Sequence, residues 1–458
     1  MLLSTTSGTR GTIGGNPGEN LTPQDLVGFI SAYGMWLKTN YAENISVVIG
    51  RDARVSGSML VKLAIGTLQG LGIHVIDLGM VPTPTVGIST RYHKAQGGII
   101  ITASHNPKEY NGIKMLNAHG EFLNAENGQD ILTIMQNANY NYCDVDNLGS
   151  STVDTEAIHR HIQQILGFDI VNKEKIKERQ FKVVVDGINS VGGIAVPELL
   201  KELGVECVEL YCEANGQFAH IPEPLEQNLT DLKEAVVEHK ADLGISVDPD
   251  ADRLVLVSGT GDMLGEEYTI VAAADYVLSK TPGNVVSNLS SSRALSDIAK
   301  KYTVEYSISK VGEISVVEKM KETNAVIGGE GNGGVIYPPH HYGRDAMIGI
   351  ALILSHLAET GMTASELRAS YPNYFMAKEK IALGNQEQIA TILETIKKEY
   401  ASENITTIDG VKIDFVDSWV HVRASNTEPI IRIFSEATSQ TEADSLVNEF
   451  INKIKATI

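Results

Sequence analysis

Apolar and polar positions follow two rhythms along the chain. Short runs rich in Ile and Val, at 45–49, 73–78 and Gly97–Ile101, have the composition of buried strands, and the stretches between them repeat apolar residues at helical spacing. A helix is expected from about Thr22, with Leu26, Ile30, Tyr33 and Leu37 on one face. Ser56, after Arg51-Asp52-Ala53-Arg54, is the expected cap of the next helix. Pro82 and Pro84 predict a rigid loop over 81–85. This alternation predicts a parallel sheet covered by helices.

The rhythm breaks between Asn137 and Ser151, where the sequence turns polar and Asn-rich. It resumes with strands expected at 181–185, 206–211 and 242–247 and helices from Gly192 and Leu229. A third set begins near Glu266, with strands at 284–287, 304–308 and 325–327. From about Ser370 a helix, several short strands and a final helix from Thr441 predict a smaller unit of another kind. The expected fold class is α/β, with three tandem mixed-sheet domains of similar topology at 1–150, 151–258 and 259–370 and a C-terminal α+β domain at 371–458. The repetition lies in element order, without a residue-level repeat.

Composition narrows the class. A chain of 458 residues exceeds the roughly 250–300 that one core supports, and 43% hydrophobic residues with abundant Gly suit an α/β enzyme. With 37 basic and 57 acidic residues the formal charge is −20, which opposes nucleic acid or an anionic membrane as partner. An anionic substrate would need a local basic site. Cys143, Cys207 and Cys212 are too few and too irregularly spaced for a disulfide framework or zinc cluster. No run approaches the roughly 18 apolar residues of a membrane span, and the N-terminus lacks a basic region followed by an apolar one. The expected location is the cytoplasm.

Reactive side chains collect where strands end, the usual ligand side of an open α/β sheet. Thr102-Ala103-Ser104-His105-Asn106-Pro107 follows Gly97–Ile101, and Asn111-Gly112-Ile113-Lys114 comes just behind it. Pro107 prevents a helix from starting at once, so Ser104 is expected on a stiff exposed turn suited to a nucleophile; ordinary turn chemistry is the other reading. Asp248, Asp250 and Asp252 occupy alternate positions of a second such loop, and three hard oxygen donors suit Mg²⁺. An EF-hand is excluded, because Arg253 stands at the sixth position and Gly259 at the twelfth. The alternatives are a solvated acidic turn or neutralisation by Arg253.

Residues 329–334 spell G-x-G-x-x-G, but Val335-Ile336-Tyr337-Pro338-Pro339 follows where a dinucleotide site needs a helix. What remains is a flexible loop offering Glu330 and Asn332 to sugar hydroxyls, or a plain glycine turn. Arg423-Ala424-Ser425-Asn426-Thr427-Glu428-Pro429 joins two strands and forms either a phosphate cradle or a simple hairpin turn. The glycine-rich opening, residues 7–15, carries Arg10. His340 and His341 are acid–base candidates, Arg344 beside Asp345 is an ion pair or a helix start, and Trp36 and Trp419 are core residues.

Four such loops, in this order and one per domain, resemble the α-D-phosphohexomutase family over nearly the whole chain. The resemblance implies four domains around a central cleft, the fourth mobile, and a phosphoserine enzyme. Phospho-Ser104 would pass its phosphoryl group to a free hydroxyl of a phosphosugar, and the resulting bisphosphate would return its other phosphate to Ser104. The same resemblance implies Mg²⁺ held by Asp248, Asp250, Asp252 and the phosphoserine at Ser104. Lys114 would move the proton, with His105 positioning it and Arg10 close by. Arg253, Lys310, Glu330 and Asn332 would contact the sugar phosphate, while Arg423, Ser425, Asn426, Thr427 and Arg432 would grip the phosphate that is not reacting. A sugar 1,6-bisphosphate is the expected activator, and a monomer or homodimer the expected assembly.

Many bacterial relatives end the sugar loop in Ser-Gly-His, whereas this chain has Asn332-Gly333-Gly334. A histidine base is therefore absent at Gly334, and His340 or His341 is the candidate to replace it. Residues 10–15 and Ser309-Lys310-Val311-Gly312-Glu313 look most like the phosphoglucosamine-mutase branch, with Glu313 suited to an ammonium at the sugar's second carbon. Glucose or mannose phosphate is the alternative substrate. A metal-dependent phosphatase and a non-catalytic sugar-phosphate binder are the competing classes.

Overall fold

The computed structural model describes residues 2–5, 8–382, 386–425 and 430–457. Three of its four sheets share one plan. In the first domain the central strands are, in chain order, Ser46–Arg51, His74–Met80, Gly97–Ile101 and Tyr110–Leu116. The second uses Lys182–Asp186, Glu206–Leu210, Leu243–Val247 and Leu254–Ser258, and the third Val285–Asn288, Tyr306–Ser309, Ile327–Glu330 and Gly334–Ile336. Each set is ordered fourth, third, first, second across the sheet. The first three strands run parallel and the fourth is antiparallel.

The sheets are thus mixed, as the expected fold class has it, and the parallel pairing read from the strand–helix rhythm covers the first three strands of each set. A parallel neighbour needs a crossover of about a dozen residues or more, whereas the third strand of each set is followed by only a short loop, which turns the chain straight back. That reversal is the structural constant of the molecule. Residues 102–109, 248–253 and 331–333 all lie at it.

Around this plan the first sheet adds Leu3–Thr5 and Gly8–Thr12 on one edge and Ser151–Val153 on the other. The last of these pairs with His74–Met80, just past the expected boundary at 150. Helix Pro23–Asn40 starts as expected: Thr22 and Asp25 form a capping box, Pro23 occupies the first turn, and Leu26, Ile30, Tyr33 and Leu37 are buried. Ser56 precedes helix Gly57–Gly70 but does not cap it; its own backbone is already helical, and its Oγ accepts from Asn111 Nδ2 at 2.9 Å. The two prolines form no loop. Helix Thr83–Tyr92 begins there, with Pro84 in the first turn where a missing N–H costs nothing.

The second and third domains share one continuous core, joined by helices Glu267–Lys280 and Ala346–Thr360, while the first and fourth have cores of their own. The fourth domain opens on strand Phe375–Ala382, not on a helix. This edge strand is largely solvent-facing and carries Lys378, Glu379 and Lys380, which hid its period. Helix Gln386–Glu399 follows, then strands Asn404–Thr406, Val411–Asp414, Trp419–Ala424 and Ile430–Ala437, and helix Gln440–Thr457. Among the described residues no helix is long and apolar enough to cross a membrane.

Candidate active site

The buried strand Gly97–Ile101 delivers the chain to a turn in which Ser104 sits at φ +48°. That left-handed backbone costs a non-glycine residue about 1–3 kcal/mol and persists only where the surroundings enforce it. Arg54 enforces it. Its buried guanidinium donates to the carbonyl oxygens of Ser104 (2.6 Å), Asn106 (2.6 Å), Pro107 (2.6 Å) and Tyr110 (2.8 Å), while its Nε donates to Asp52 Oδ2 at 3.0 Å. Asp52 also accepts from Thr102 Oγ1 (2.7 Å), which itself accepts the Ser104 N–H (2.9 Å).

The turn is stiff, as expected, but buried: Ser104 is 7% exposed, because the three-aspartate loop of the second domain lies over it. Arg10 donates to Asn106 Oδ1 at 3.3 Å. His105 Nδ1 is 3.3 Å from Ser104 Oγ. Burial, with Arg253 and Arg10 nearby, holds the His105 pKa well below the usual imidazole range, so the ring is neutral at pH 7.

Asp248, Asp250 and Asp252 are fully buried, and their carboxylates lie within 4.8 Å of one another, which excludes a solvated acidic turn. Asp248 Oδ2 accepts from Ser104 Oγ at 2.7 Å, and its Oδ1 takes the N–H groups of Asp252 and Arg253. Asp250 Oδ2 accepts from Lys114 Nζ and Thr83 Oγ1, both at 2.7 Å. Asp252 Oδ2 is 2.6 Å from Arg344 Nη2 and 3.4 Å from Lys114 Nζ. Arg253 is more remote, 4.0 Å from Asp252 and 3.7 Å from Glu223, so Lys114 and Arg344 are the main local cations.

The remaining oxygens, Asp250 Oδ1 and Asp252 Oδ1, are buried with no hydrogen-bond partner among the described residues. Burial, reinforced by the charges of Asp252 and Asp250, pushes the Asp248 carboxyl well above its ordinary range. Orphaned hard oxygens and mutual repulsion are what a divalent cation relieves, and the triad is able to hold one.

The third reversal is a tight hairpin, not a flexible loop. Glu330 pairs with Gly334 across it, and Gly333 turns at φ +86°. Glu330 is 4% exposed; Oε1 accepts from Asn288 Nδ2 (2.9 Å) and the Gly312 N–H (3.1 Å), and Oε2 from Arg344 Nη1 (2.8 Å). Asn332 Oδ1 accepts the Gly334 N–H at 3.3 Å. Lys310 is exposed, directly after strand Tyr306–Ser309. Arg344 does not pair with Asp345. It ties Asp252 and Glu330 to Glu313, whose Oε2 lies 3.1 Å from Arg344 Nε. Asp345 does mark a helix start, accepting from the N–H groups of Met347 and Ile348.

In the fourth domain Arg423 and Arg432 are directly opposite on adjacent strands. Like charges so placed repel, and an anion between them is the natural relief. Arg423 is buried and lies 3.9 Å from Asp409, which also accepts the Val311 N–H of the third domain at 3.0 Å. Ser425 donates its N–H to Ile430, closing the strand pair, and Asn426 and Thr427 lie outside the described residues. His340 and His341 pack against Asp345 in a separate buried cluster with His161, so they do not stand in for the histidine absent at Gly334.

Sequence reasoning passed over Arg54, Asp52 and Thr83 as site-forming residues. The Asp52–Arg54 pair after a strand was the one available signal, because the carbonyls that Arg54 binds lie about fifty residues further along.

The phosphoglucomutase/phosphomannomutase family matches this chain in all four of its domains: α/β/α domain I over residues 1–141, domain II over 159–261, domain III over 265–374 and the C-terminal domain over 378–453. A phosphoglucomutase/phosphomannomutase of Thermococcus kodakarensis is 39% identical, covering 94% of this chain and 95% of its own. A phosphoglucosamine/phosphogalactosamine mutase of Sulfurisphaera tokodaii is 34% identical and covers 97% of both. Among solved structures, a phosphoglucomutase/phosphomannomutase family protein of Burkholderia thailandensis superposes with a TM-score of 0.85 at 26% identity, covering 98% of this chain and 96% of its own.

Proposed function

The chain belongs to the phosphoglucomutase/phosphomannomutase family, and from that premise we propose that it moves a phosphoryl group between the 6- and 1-positions of a hexose phosphate by way of phospho-Ser104. That it is a phosphohexomutase acting on small phosphosugars follows from the family; the route and the sugar are this proposal. The observation that carries the route is the 2.7 Å contact between Ser104 Oγ of the first domain and Asp248 of the second, inside a buried carboxylate triad.

A magnesium ion held by Asp248, Asp250, Asp252 and the phosphoserine would compensate the charge developing on the serine oxygen. The chain's own groups do the rest. Lys114 is kept as an ammonium: burial favours its neutral form, but Asp250 and Asp252 outweigh that and raise its pKa. As the phosphorus–oxygen bond to Ser104 breaks and one to the sugar oxygen forms, the Lys114 ammonium gives a proton to the freed Ser104 oxygen and, neutral once it has done so, takes up the proton that the sugar hydroxyl loses. Neutral His105 orients the serine, and Arg10 steadies the turn through Asn106. Arg423 and Arg432, together with Ser425, Asn426 and Thr427 of the same loop sequence, grip the phosphate that is not reacting. Lys310 and Arg253 supply further positive charge, and Glu330 and Asn332 face the ring hydroxyls. A sugar 1,6-bisphosphate primes Ser104.

For the sugar, one observation favours the neutral hexoses. Glu313 is engaged by the Arg344 side chain and, through Oε1, by the Arg344 N–H at 3.0 Å, so it is not a spare carboxylate for an ammonium. We therefore place glucose or mannose phosphate ahead of glucosamine phosphate. Product-resolved turnover with Mg²⁺ and a trace of the matching bisphosphate, ranking the three 6-phosphates by kcat/KM, tests both parts. A preference for glucosamine phosphate reverses the substrate order. Release of inorganic phosphate without any isomer refutes the transfer route in favour of a phosphatase.

A further inference from the structure

Apart from the acidic triad, three imidazoles and a carboxylate converge in the interior. His161 comes from helix Ala157–Leu166, between the first two domains, and His340, His341 and Asp345 from the segment after strand Gly334–Ile336. His161, His340 and Asp345 are fully buried and His341 is 5% exposed. Asp345 Oδ2 lies 2.8 Å from His161 Nε2, 3.0 Å from His340 Nε2 and 3.4 Å from His341 Nε2. The Nε2 atoms of His161 and His340 are 3.1 Å apart.

Hydrogen bonds alone do not satisfy this geometry. If both Nε2 atoms carry protons for Asp345, two N–H groups crowd onto one carboxylate oxygen with their nitrogens only 3.1 Å apart. If one is bare, its lone pair faces a carboxylate oxygen. Moreover His340 Nδ1 and both ring nitrogens of His341 are buried with no hydrogen-bond partner among the described residues. A cation among the convergent atoms removes the conflict.

Its chemical class follows from distance and donor type. Ligand bonds of about 2.0–2.1 Å put neighbouring donors of a tetrahedral zinc about 3.3 Å apart, so the observed edges need to widen by only a few tenths of an ångström. Imidazole nitrogens with one carboxylate suit zinc and its neighbours, whereas the all-oxygen triad suits magnesium. The outer partners are in place as well. Thr85 Oγ1 lies 2.9 Å from His161 Nδ1, which leaves Nε2 free to ligate, and Asp345 Oδ1 is occupied by the Met347 and Ile348 N–H groups, which leaves Oδ2.

We propose that His161 Nε2, His340 Nε2 and Asp345 Oδ2 bind a structural zinc-class ion. The site ties the first three domains together next to the active site. Helix Thr83–Tyr92 carries Thr83 to Asp250 and Thr85 to His161, and Arg344, which bridges the metal and sugar loops, adjoins Asp345. Because the ligands are buried, the ion enters as the chain folds.

The full-length chain, refolded with one equivalent of zinc and dialysed against chelator, should retain one zinc per chain by elemental mass spectrometry, and Asp250→Asn should retain it too. His340→Gln and His161→Gln should lose it and melt at lower temperature. Cobalt refolded into the wild type should show the intense visible absorption of a low-coordinate site with imidazole and carboxylate donors, which a six-coordinate oxygen triad does not give. Wild type that keeps no zinc and shows no such band overturns the proposal, whether or not the variants fold. Zinc that survives His340→Gln but leaves Asp250→Asn overturns it as well.

Discussion

Ser104 combines a reactive position with an unfavourable backbone, and the surrounding bonds exist to hold it there. Replacing it by Ala removes the proposed phosphoryl acceptor while leaving the turn's backbone bonds intact. Turnover should fall by at least about a thousandfold with phosphosugar binding preserved, and the phosphorylated mass should vanish from intact-protein spectra. Asp250→Asn removes one charge from the triad and weakens the hold on Lys114. Activity at a fixed magnesium concentration should drop by about 10–100-fold, and a titration of rate against magnesium should shift to higher concentration; an unchanged curve would remove Asp250 from the ligand set. Both residues stood out in the sequence, because the candidate nucleophile and the carboxylates are each concentrated within a few positions. Thr83 and Arg344 did not. Their partners are Asp250, Asp252, Glu330 and Glu313, and only the packing of three domains brings them together.

The same distinction holds for the elements. Long periodic stretches such as Pro23–Asn40 announced themselves through apolar spacing, and the strands before the functional loops did so through apolar runs. The errors came where one residue type serves two geometries. Proline marks a loop or the first turn of a helix, and Pro84 does the latter; glycine marks a flexible loop or a tight hairpin, and Gly333 does the latter. Arg54 shows what a local reading misses at this scale, since one side chain fixes a turn that the sequence attributed to Pro107. Arg54→Lys keeps the charge but cannot satisfy the fork of carbonyls together with Asp52. The expected result is a loss on the order of 3 kcal/mol in denaturant unfolding, with kcat reduced more than KM is raised. Wild-type kcat would mean that the turn holds itself.

Across the whole molecule, the repeated strand order places three loops on matching reversals, while the fourth domain meets the third through polar contacts. Lys378 lies 2.5 Å from Glu266 and 3.3 Å from Glu267, Ser290 Oγ is 2.9 Å from His421 Nδ1, and the Arg293 N–H donates to Glu436 at 3.1 Å. Polar seams of this kind permit relative motion, which a fourth domain must have if the bisphosphate is to reorient without leaving. They also titrate. Burial pushes the Glu267 carboxyl up to about 8 from its ordinary 4.5, with Lys378 opposing the shift. A raised carboxyl pKa means that the folded state holds the proton more tightly than the unfolded chain. The stabilisation is therefore complete below about pH 4.5 and is lost as pH rises through about 8. Glu267→Gln keeps the shape and an acceptor for the Ser292 N–H but cannot ionise. Its melting temperature should fall less than that of the wild type between pH 5 and 8, by a few degrees, and parallel melting curves across that window would show that Glu267 remains ionised in the fold, held by Lys378.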